Sequence, residues 1–204
     1  MPNCLPPFTN TFCVLLAGGK GTRLHELTAS ESKPALPFAG GRLVDFAMEN
    51  AARSGLRQVL VATQYQSAGL AAHLHRRWSA RFPGGLQLRD GAVTPPGYCG
   101  TADALRANLA EIARSGADTV LVLSADHVYR MDYRPMIARH LASGSKVTVA
   151  ADTAPLDRAS SFGVLSAGPQ DAITGFAEKP ARPAPVAGDP GRALVSMGIY
   201  VFDR

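Results

Sequence analysis

The chain has 204 residues, 46% hydrophobic and 18% charged, a balance that suits one α/β domain with its own core or a large part of a bigger protein. A net charge of +5 and a pI near 9.4 suit an anionic ligand, but the arginines are scattered and no basic run appears, which argues against a nucleic-acid partner. Cys4, Cys13 and Cys99 form no metal or disulfide pattern, no apolar run reaches the roughly 18 residues of a membrane span, and MPNCLPPFTN lacks the make-up of a signal peptide, so a reducing, cytoplasmic setting is expected.

Residues 1–11 read as an extension. Residues 12–17, an apolar run stopped by glycine, predict a buried strand. DFAMENAARS (45–54), closed by Gly55, predicts a helix, and QVLVAT (58–63) a second buried strand. A helix is expected over 67–80 with Leu70, Leu74 and Trp78 on one face; His73 and His75 on it read as surface residues. LQLR (86–89) suggests a short strand. A helix over 102–115 follows, with Leu105, Leu109 and Ile112 inward and Thr101 as N-cap. TVLVLSA (119–125) predicts the central strand. Asp132 is placed to cap a helix running to Ser143, and KVTVAAD (146–152) reads as a strand. Strands alternating with helices through the first 150 residues predict a doubly wound, mostly parallel sheet. Beyond residue 152, FGVLSA and AITGFAEKP flank GPQD and predict a hairpin, and ALVSMGIYVF a last strand after a loop rich in Pro and Gly.

LLAGGKGTRL (15–24) sets three glycines within four positions directly after the first strand. In open α/β sheets, ligands bind beyond the carboxyl ends of the strands. Gly18, Gly19 and Gly21 permit positive φ and close approach, successive backbone N–H groups can cradle an anion, and Lys20 and Arg23 add charge suited to phosphates. The stretch fails G-x-x-x-x-G-K-[ST], because Gly21 follows Lys20. It fails G-x-G-x-x-G, because Leu24 stands where the last glycine belongs. A glycine turn with no ligand is the competing reading. The chain carries 17 Arg but only four Lys, and Lys20, Lys33 and Lys179 all stand in compact motifs (GGKGTRL, SKPALPF, EKP) where a point charge has a use.

At the same sheet edge, Asp126 in SADHVYRMDY ends the central strand. A carboxylate there suits Mg²⁺, which is typically held by one or two carboxylates plus phosphate oxygens. A helix cap or turn former is the alternative. His127 reads as a hydrogen-bonded loop residue, and EKP equally as a salt-bridged strand end. No Ser–His–Asp or Cys–His arrangement is present, and nothing near Cys99 suggests an activated thiolate.

In order along residues 12–204, GGKGTRL, SKPALPF, TQYQS, GTADAL, ADHVYRMDY, FGV, EKP and SMGIYVF resemble the bacterial glucose-1-phosphate adenylyltransferases (ADP-glucose pyrophosphorylases), a branch of the sugar nucleotidyltransferases. The resemblance implies a Rossmann-like, GT-A-like doubly wound α/β fold. It implies transfer of the adenylyl group of ATP to α-D-glucose 1-phosphate, giving ADP-glucose and pyrophosphate for glycogen synthesis, by in-line attack without a covalent enzyme intermediate. Leu16, Ala17, Gly18, Gly19, Gly21 and Thr22 would hold ATP, with Arg23 on the phosphates and Lys33 assisting beside the nucleotide. Gln64, Gly100 and Thr101 would border the base and ribose, and Asp126 would hold Mg²⁺. Tyr98, Gly163, Glu178, Lys179 and Ser196 would contact glucose 1-phosphate, Lys179 at its phosphate and Glu178 at its hydroxyls. Full-length relatives are homotetramers, and neither a nucleic acid nor a membrane is implied as partner.

The chain also departs from that pattern. It stops after SMGIYVF, before a later Asp that is the family's second metal ligand and before a C-terminal left-handed β-helix, so the nucleotidyltransferase domain at 12–204 is expected to be incomplete at its C-terminal end. Cys99 stands for a usual Arg, Ala125 adds a methyl group where Gly usually precedes Asp126, and AGGRLVDF is one residue short, without a basic residue tied to activator response. Two other readings stay open: a non-catalytic relative that keeps a nucleotide or sugar-phosphate pocket, and a nucleotidyltransferase using UTP, dTTP or GTP.

Overall fold

The computed structural model describes residues 10–204 except Lys20, Ala29 and Thr94; most of the N-terminal extension, with Cys4, and the side chains of Thr22 and Arg23 lie outside the described residues. The chain forms two compact units, one of the residues up to Thr148 with Tyr200–Arg204, the other Val149–Ile199.

The first unit contains, in chain order, β1 (Thr11–Ala17), β2 (Pro37–Phe38), β3 (Gly41–Arg42), α1 (Leu43–Arg53), β4 (Gln58–Thr63), α2 (Ser67–Trp78), β5 (Gly85–Asp90), α3 (Thr101–Ala107), α4 (Leu109–Arg114), β6 (Thr119–Ser124) and α5 (Arg134–Ser143). Strands β5, β4, β1 and β6 lie side by side in that order and are parallel. A later strand, Arg192–Asp203, pairs antiparallel with β6 through Tyr200–Asp203. The parallel α/β expectation therefore holds, and among the described residues no helix is long and apolar enough to cross a membrane.

The three strands β4, β1 and β6 are apolar on both faces because helices cover both. Phe12, Val14, Leu60, Ala62, Val120 and Val122 pack with Ala104 and Ile112 of α3 and α4. Cys13, Leu15, Val61, Leu121 and Leu123, which alternate with them, are equally buried, and α1 lies against β1. Each Val, Leu, Ile or Phe among them contributes roughly 1.5–3 kcal/mol relative to leaving it in water. Burial pushes the Cys13 thiol well above its ordinary range, so this cysteine behaves as an apolar core residue.

Several boundaries differ from the sequence expectation, each for a local reason. The helix expected over 102–115 is two helices. Asn108 Nδ2 donates to the Ala104 carbonyl, the acceptor that its own backbone N–H would take in a continuous helix, and that N–H turns to Leu105 instead. The break rotates Leu109 outward, where it is exposed, while Ile112 stays buried. Gly100, with φ of +137°, takes the N-cap position assigned to Thr101, which is the first helical residue. Asp132 does accept the Arg134 N–H at 3.0 Å, though Tyr133 occupies the cap position itself. The hairpin β2–β3 has strands too short to show a period; its turn residues Ala39 and Gly40 both have positive φ, as a two-residue hairpin turn requires.

His73 is not a surface residue. Its Nε2 and Trp78 Nε1 both donate to Asp45 Oδ1 at 2.7 Å, and the Arg42 N–H donates to Oδ2 at 2.9 Å. Asp45 thereby caps the first turn of α1 and fastens α1 to α2. α2 itself ends at Trp78, and a 3-10 turn, Ser79–Arg81, completes the predicted helical stretch.

In the second unit, β7 (Val147–Pro155), β8 (Gly163–Ala167), β9 (Ile173–Glu178) and β10 (Arg192–Asp203) form antiparallel structure around Ala154, Ala159, Val164, Ala193 and Val195. β7 and β10 begin or end in the first unit. The predicted hairpin is β8–β9, in which Gly163 pairs with Glu178. Arg192 ties β10 to β7 by donating to the hydroxyl and carbonyl of Thr153.

Asp45→Ala strands three donors in a buried site and is expected to lower unfolding stability by about 3 kcal/mol. Burial acts to raise the Asp45 carboxyl, but hydrogen bonds from His73, Arg42 and Trp78 outweigh it and hold it below its ordinary value. Its contribution is therefore complete above about pH 4 and fades as pH falls through the lowered folded-state value. Urea midpoints measured from pH 6 to pH 3 test both points; a midpoint unmoved by Asp45→Ala would remove the residue from this role.

Candidate functional site

Register decides what meets at the edge of the parallel sheet. Ala17 lies opposite Thr63, and Leu16 opposite Ser124, so the three strands end level and hand the chain to Gly18, Gln64 and Asp126. The Ala125 N–H continues the ladder one step by donating to the Leu16 carbonyl at 3.0 Å. Leu16 and Ala17 direct their side chains into the core, which leaves the backbone beyond them as the part at the edge. Ala125 is fully buried, so its methyl group is a core atom.

The glycines after β1 do different things. Gly21 alone has positive φ, +62°, and a Cβ there would meet Thr28 Cγ2 at 3.0 Å and Lys33 Cβ at 3.1 Å. Thr28 closes the turn by donating its hydroxyl to the Gly21 carbonyl. Gly18 and Gly19 lack the positive φ expected of them. Gly19 is exposed, and among the described residues nothing stands within 4 Å of a Cβ added there. The expected contacts of Lys20, and of the side chains of Thr22 and Arg23, fall outside the described residues.

The turn Lys33–Ala35 brings Lys33 to the same edge. Its Nζ lies 2.9 Å from Asp126 Oδ2, and the Ser124 hydroxyl donates to Asp126 Oδ1 at 2.5 Å. His127 Nε2 stands 3.6 Å from Oδ1. Burial alone would raise the Asp126 carboxyl; the hydrogen bonds from Ser124 and Lys33, with the charges of Lys33 and His127, overcome this and hold it below its ordinary value. It is thus an ionised carboxylate at neutral pH, still about one-third exposed. Among the described residues, no three His, Cys, Asp or Glu side chains gather as a ready-made metal cage.

Gln64 works through the loop opposite. Its Oε1 accepts the Tyr98 N–H at 2.6 Å, and Gly97 passes so close that a Cβ would touch the amide at 3.1 Å. Tyr98 packs on the core beside Leu16, and Asn108 donates to its hydroxyl at 3.1 Å. Gly100 and Thr101 follow at the start of α3, and the Cys99 N–H donates to Asp103. Lys33, Gln64, Tyr98 and Asp126 are therefore side chains of one unit, on the loops that follow its strands or adjoin them. Ser124 was missed by the sequence reading, although its signal was present: a hydroxyl two residues before a carboxylate at a strand end.

The other expected residues belong to the second unit. Glu178 and Lys179 are exposed and paired, Nζ to Oε1 3.0 Å. Lys179 has φ of +44°, uncommon for a residue with a Cβ, and its N–H is held by the Phe162 carbonyl at 3.0 Å. Gly163 lies beneath Phe176, where an added Cβ would stand 2.7 Å from the ring. The Ser196 hydroxyl accepts the Gly198 N–H at 3.2 Å.

A cavity of about 440 Å³ opens elsewhere in the first unit, lined by Arg42, Asp45, Glu49, Arg77, Trp78 and Arg130 among others. None of the expected site residues lines it, and three of its arginines lie beside acidic partners, Arg42 with Glu31, Arg53 with Glu49 and Arg77 with Asp45.

A family model described as Nucleotidyl transferase matches residues 12–204. Similar curated proteins include a glucose-1-phosphate adenylyltransferase of Dechloromonas aromatica, 45% identical over 201 residues (95% of this chain, 46% of the relative). Glucose-1-phosphate adenylyltransferase 1 of Alkalilimnicola ehrlichii is 44% identical over 213 residues (98% and 50%). A glucose-1-phosphate adenylyltransferase of Nitrosospira multiformis is 43% identical over 200 residues (95% and 47%). The chain spans about half the length of the curated relatives it matches.

The two glycines make a paired test of the loop. Gly21→Ala forces a side chain into left-handed backbone against Thr28 and Lys33 and is expected to lose about 1–2 kcal/mol of stability. Gly19→Ala is expected to stay within about 0.5 kcal/mol of the parent. Thermal unfolding of both variants decides it; equal losses would contradict the reading of Gly19 as a position the fold leaves open.

Proposed function

The chain belongs to the nucleotidyl transferase family, and from that premise we propose that this protein transfers the adenylyl group of ATP to α-D-glucose 1-phosphate. An oxygen of the sugar phosphate attacks the α-phosphorus of ATP; the new P–O bond forms as the bond to pyrophosphate breaks, giving ADP-glucose. The choice of substrates follows the names of the similar proteins. The chemistry is supported by one observation above the others: the Lys33–Asp126 pair at the carboxyl edge of the parallel sheet, beside bare backbone at Gly19. Such a transfer needs no nucleophile on the enzyme, only positioning and charge, which accords with the lysine, the carboxylate and the exposed glycine backbone at this edge.

Asp126 suits Mg²⁺ on its own chemistry: ionised, partly exposed and a single carboxylate, it leaves the remaining positions to phosphate oxygens and water. When bound, the cation supplies charge that offsets what develops on the phosphate oxygens. Lys33 and Arg23 hold and neutralise the triphosphate. Leu16, Ala17, Gly18, Gly19, Gly21 and Thr22 offer it backbone, and Gln64, Gly100 and Thr101 border the nucleoside. Tyr98 in the first unit, and Gly163, Glu178, Lys179 and Ser196 in the second, are proposed as contacts of the sugar phosphate. The proposed setting is the cytoplasm, with ADP-glucose serving glycogen synthesis.

The test is pyrophosphate release with glucose 1-phosphate and Mg²⁺, using ATP, UTP, dTTP and GTP in turn. ATP is expected to be preferred, and Asp126→Asn to lower turnover by at least about 100-fold. Preference for UTP moves the assignment to another branch, ATP binding without turnover identifies a non-catalytic pocket, and turnover that survives Asp126→Asn removes that residue from the chemistry. Gly19→Ala is expected to weaken ATP binding about tenfold or more, by calorimetry, since its Cβ takes up space the triphosphate would use.

A further inference from the structure

Asp126 is followed by a segment, residues 127–133, that belongs to no helix or strand, so its backbone groups need partners from elsewhere. Asn50 of α1 and Ser54, the residue that caps the C-terminus of that helix, supply them. Asn50, almost wholly buried, uses both ends of its amide: Nδ2 donates to the Tyr129 carbonyl at 3.0 Å, and Oδ1 accepts the Met131 N–H at 3.3 Å. One side chain thus imitates a step of β-ladder for the residues just beyond Asp126. At the C-cap of the same helix, Ser54, also buried, accepts the Tyr133 N–H at 2.9 Å with its hydroxyl. The hydroxyls of Tyr129 and Tyr133 meet at 2.6 Å and close the segment on itself.

The same helix also supports Lys33. The turn Lys33–Ala35 lies against α1, Pro34 and Ala35 are buried, and the Leu43 N–H at the first residue of α1 donates to the Leu36 carbonyl at 3.1 Å. Both members of the Lys33–Asp126 pair therefore hang from one rigid element, one by its N-terminal turn and the other by Asn50.

We propose that Asn50 is a positioning residue for Asp126, holding the carboxylate at the distance from Lys33 that the site needs. The inference rests on the reading of Asp126 as a functional group and adds to it a residue that touches no substrate. An apolar residue at Asn50 would leave the Tyr129 carbonyl and Met131 N–H unpaired in a buried place, and the segment would shift to find water. Asp126 would move with it, because only two residues, His127 and Val128, separate it from the first clamped one.

Two measurements test this. In a crystal structure of Asn50→Ala, the Lys33–Asp126 pair is expected to open beyond 4 Å. In calorimetry of ATP binding with Mg²⁺ and with chelator, the gain in affinity conferred by Mg²⁺ is expected to fall at least fivefold, while the metal-free affinity stays within twofold. His140→Asn, which breaks a separate buried network with Thr148 and Asp203, should lower the melting temperature and leave that gain unchanged. A pair that stays closed, or a gain that does not change, overturns the proposal, as does an equal loss of gain in His140→Asn. If the parent gains nothing from Mg²⁺, the role of Asp126 in catalysis falls, and the crystal structure still decides whether Asn50 holds the pair. Asn50→Asp, which keeps an acceptor for Met131 and removes only the donor to Tyr129, is read in the same way should Asn50→Ala not fold.

Discussion

Strand β1 pairs along its length with β4 on one side and β6 on the other, in parallel and in register, and the rest of the site depends on that constraint. Parallel strands send their carboxyl ends the same way, so chain segments far apart in sequence leave the sheet together. The loop at Gly18, the amide of Gln64 and the carboxylate of Asp126 are neighbours for no other reason. Side chains alternate along a strand, so a one-residue slip of β6 would exchange the side chains packed on its two faces and carry Asp126, just beyond its end, along the edge with it. The apolar run of β6 prevents the slip, which means that core packing sets the place of a charged residue it never touches.

A second constraint is carried by α1 and its C-cap, which bury three polar residues, Asp45, Asn50 and Ser54. Such groups are tolerated in a core only when bonded. Here they bond to two neighbours: Asp45 to α2, and Asn50 and Ser54 to the segment that follows Asp126. The helix gains little from them as a helix. What it gains is a fixed position relative to its surroundings, because hydrogen bonds have direction where apolar contacts do not.

The Lys33–Asp126 pair belongs to a different class of interaction. With about one-third of each side chain exposed, it contributes at most about 1 kcal/mol to stability. It is therefore weak as a fastening, yet it keeps opposite charges close together at an open edge. The departures from the family pattern bear on this edge less than their positions suggest. The methyl group of Ala125 lies in the core, and Cys99 is an exposed residue whose backbone N–H is taken by Asp103. Asp126 keeps its partners beside the one substitution, and the start of α3 keeps its bonded turn beside the other.

Amino-acid order alone determined the class of fold and most of its elements. Apolar runs bounded by glycine placed β1, β4 and β6 within a residue of their ends, because a strand buried on both faces admits nothing else. The glycine loop and Asp126 were legible as candidates because both follow such strands. Tertiary structure decided what depends on distant partners. His73 is buried, since Asp45 was there to accept its ring N–H, and no helical period records that. The helix over 102–115 broke because the Asn108 side chain had Tyr98 and Ala104 to bond. Gly19 and Gly21 look alike as letters, but only Gly21 is crowded by Thr28 and Lys33. Asn50 read as one more polar residue on a helix; its role appeared only when residues 129–131, some 80 positions on, came within reach of both ends of its amide. Local pattern reports what a residue prefers, whereas a hydrogen bond between remote segments exists only once the chain has closed on itself.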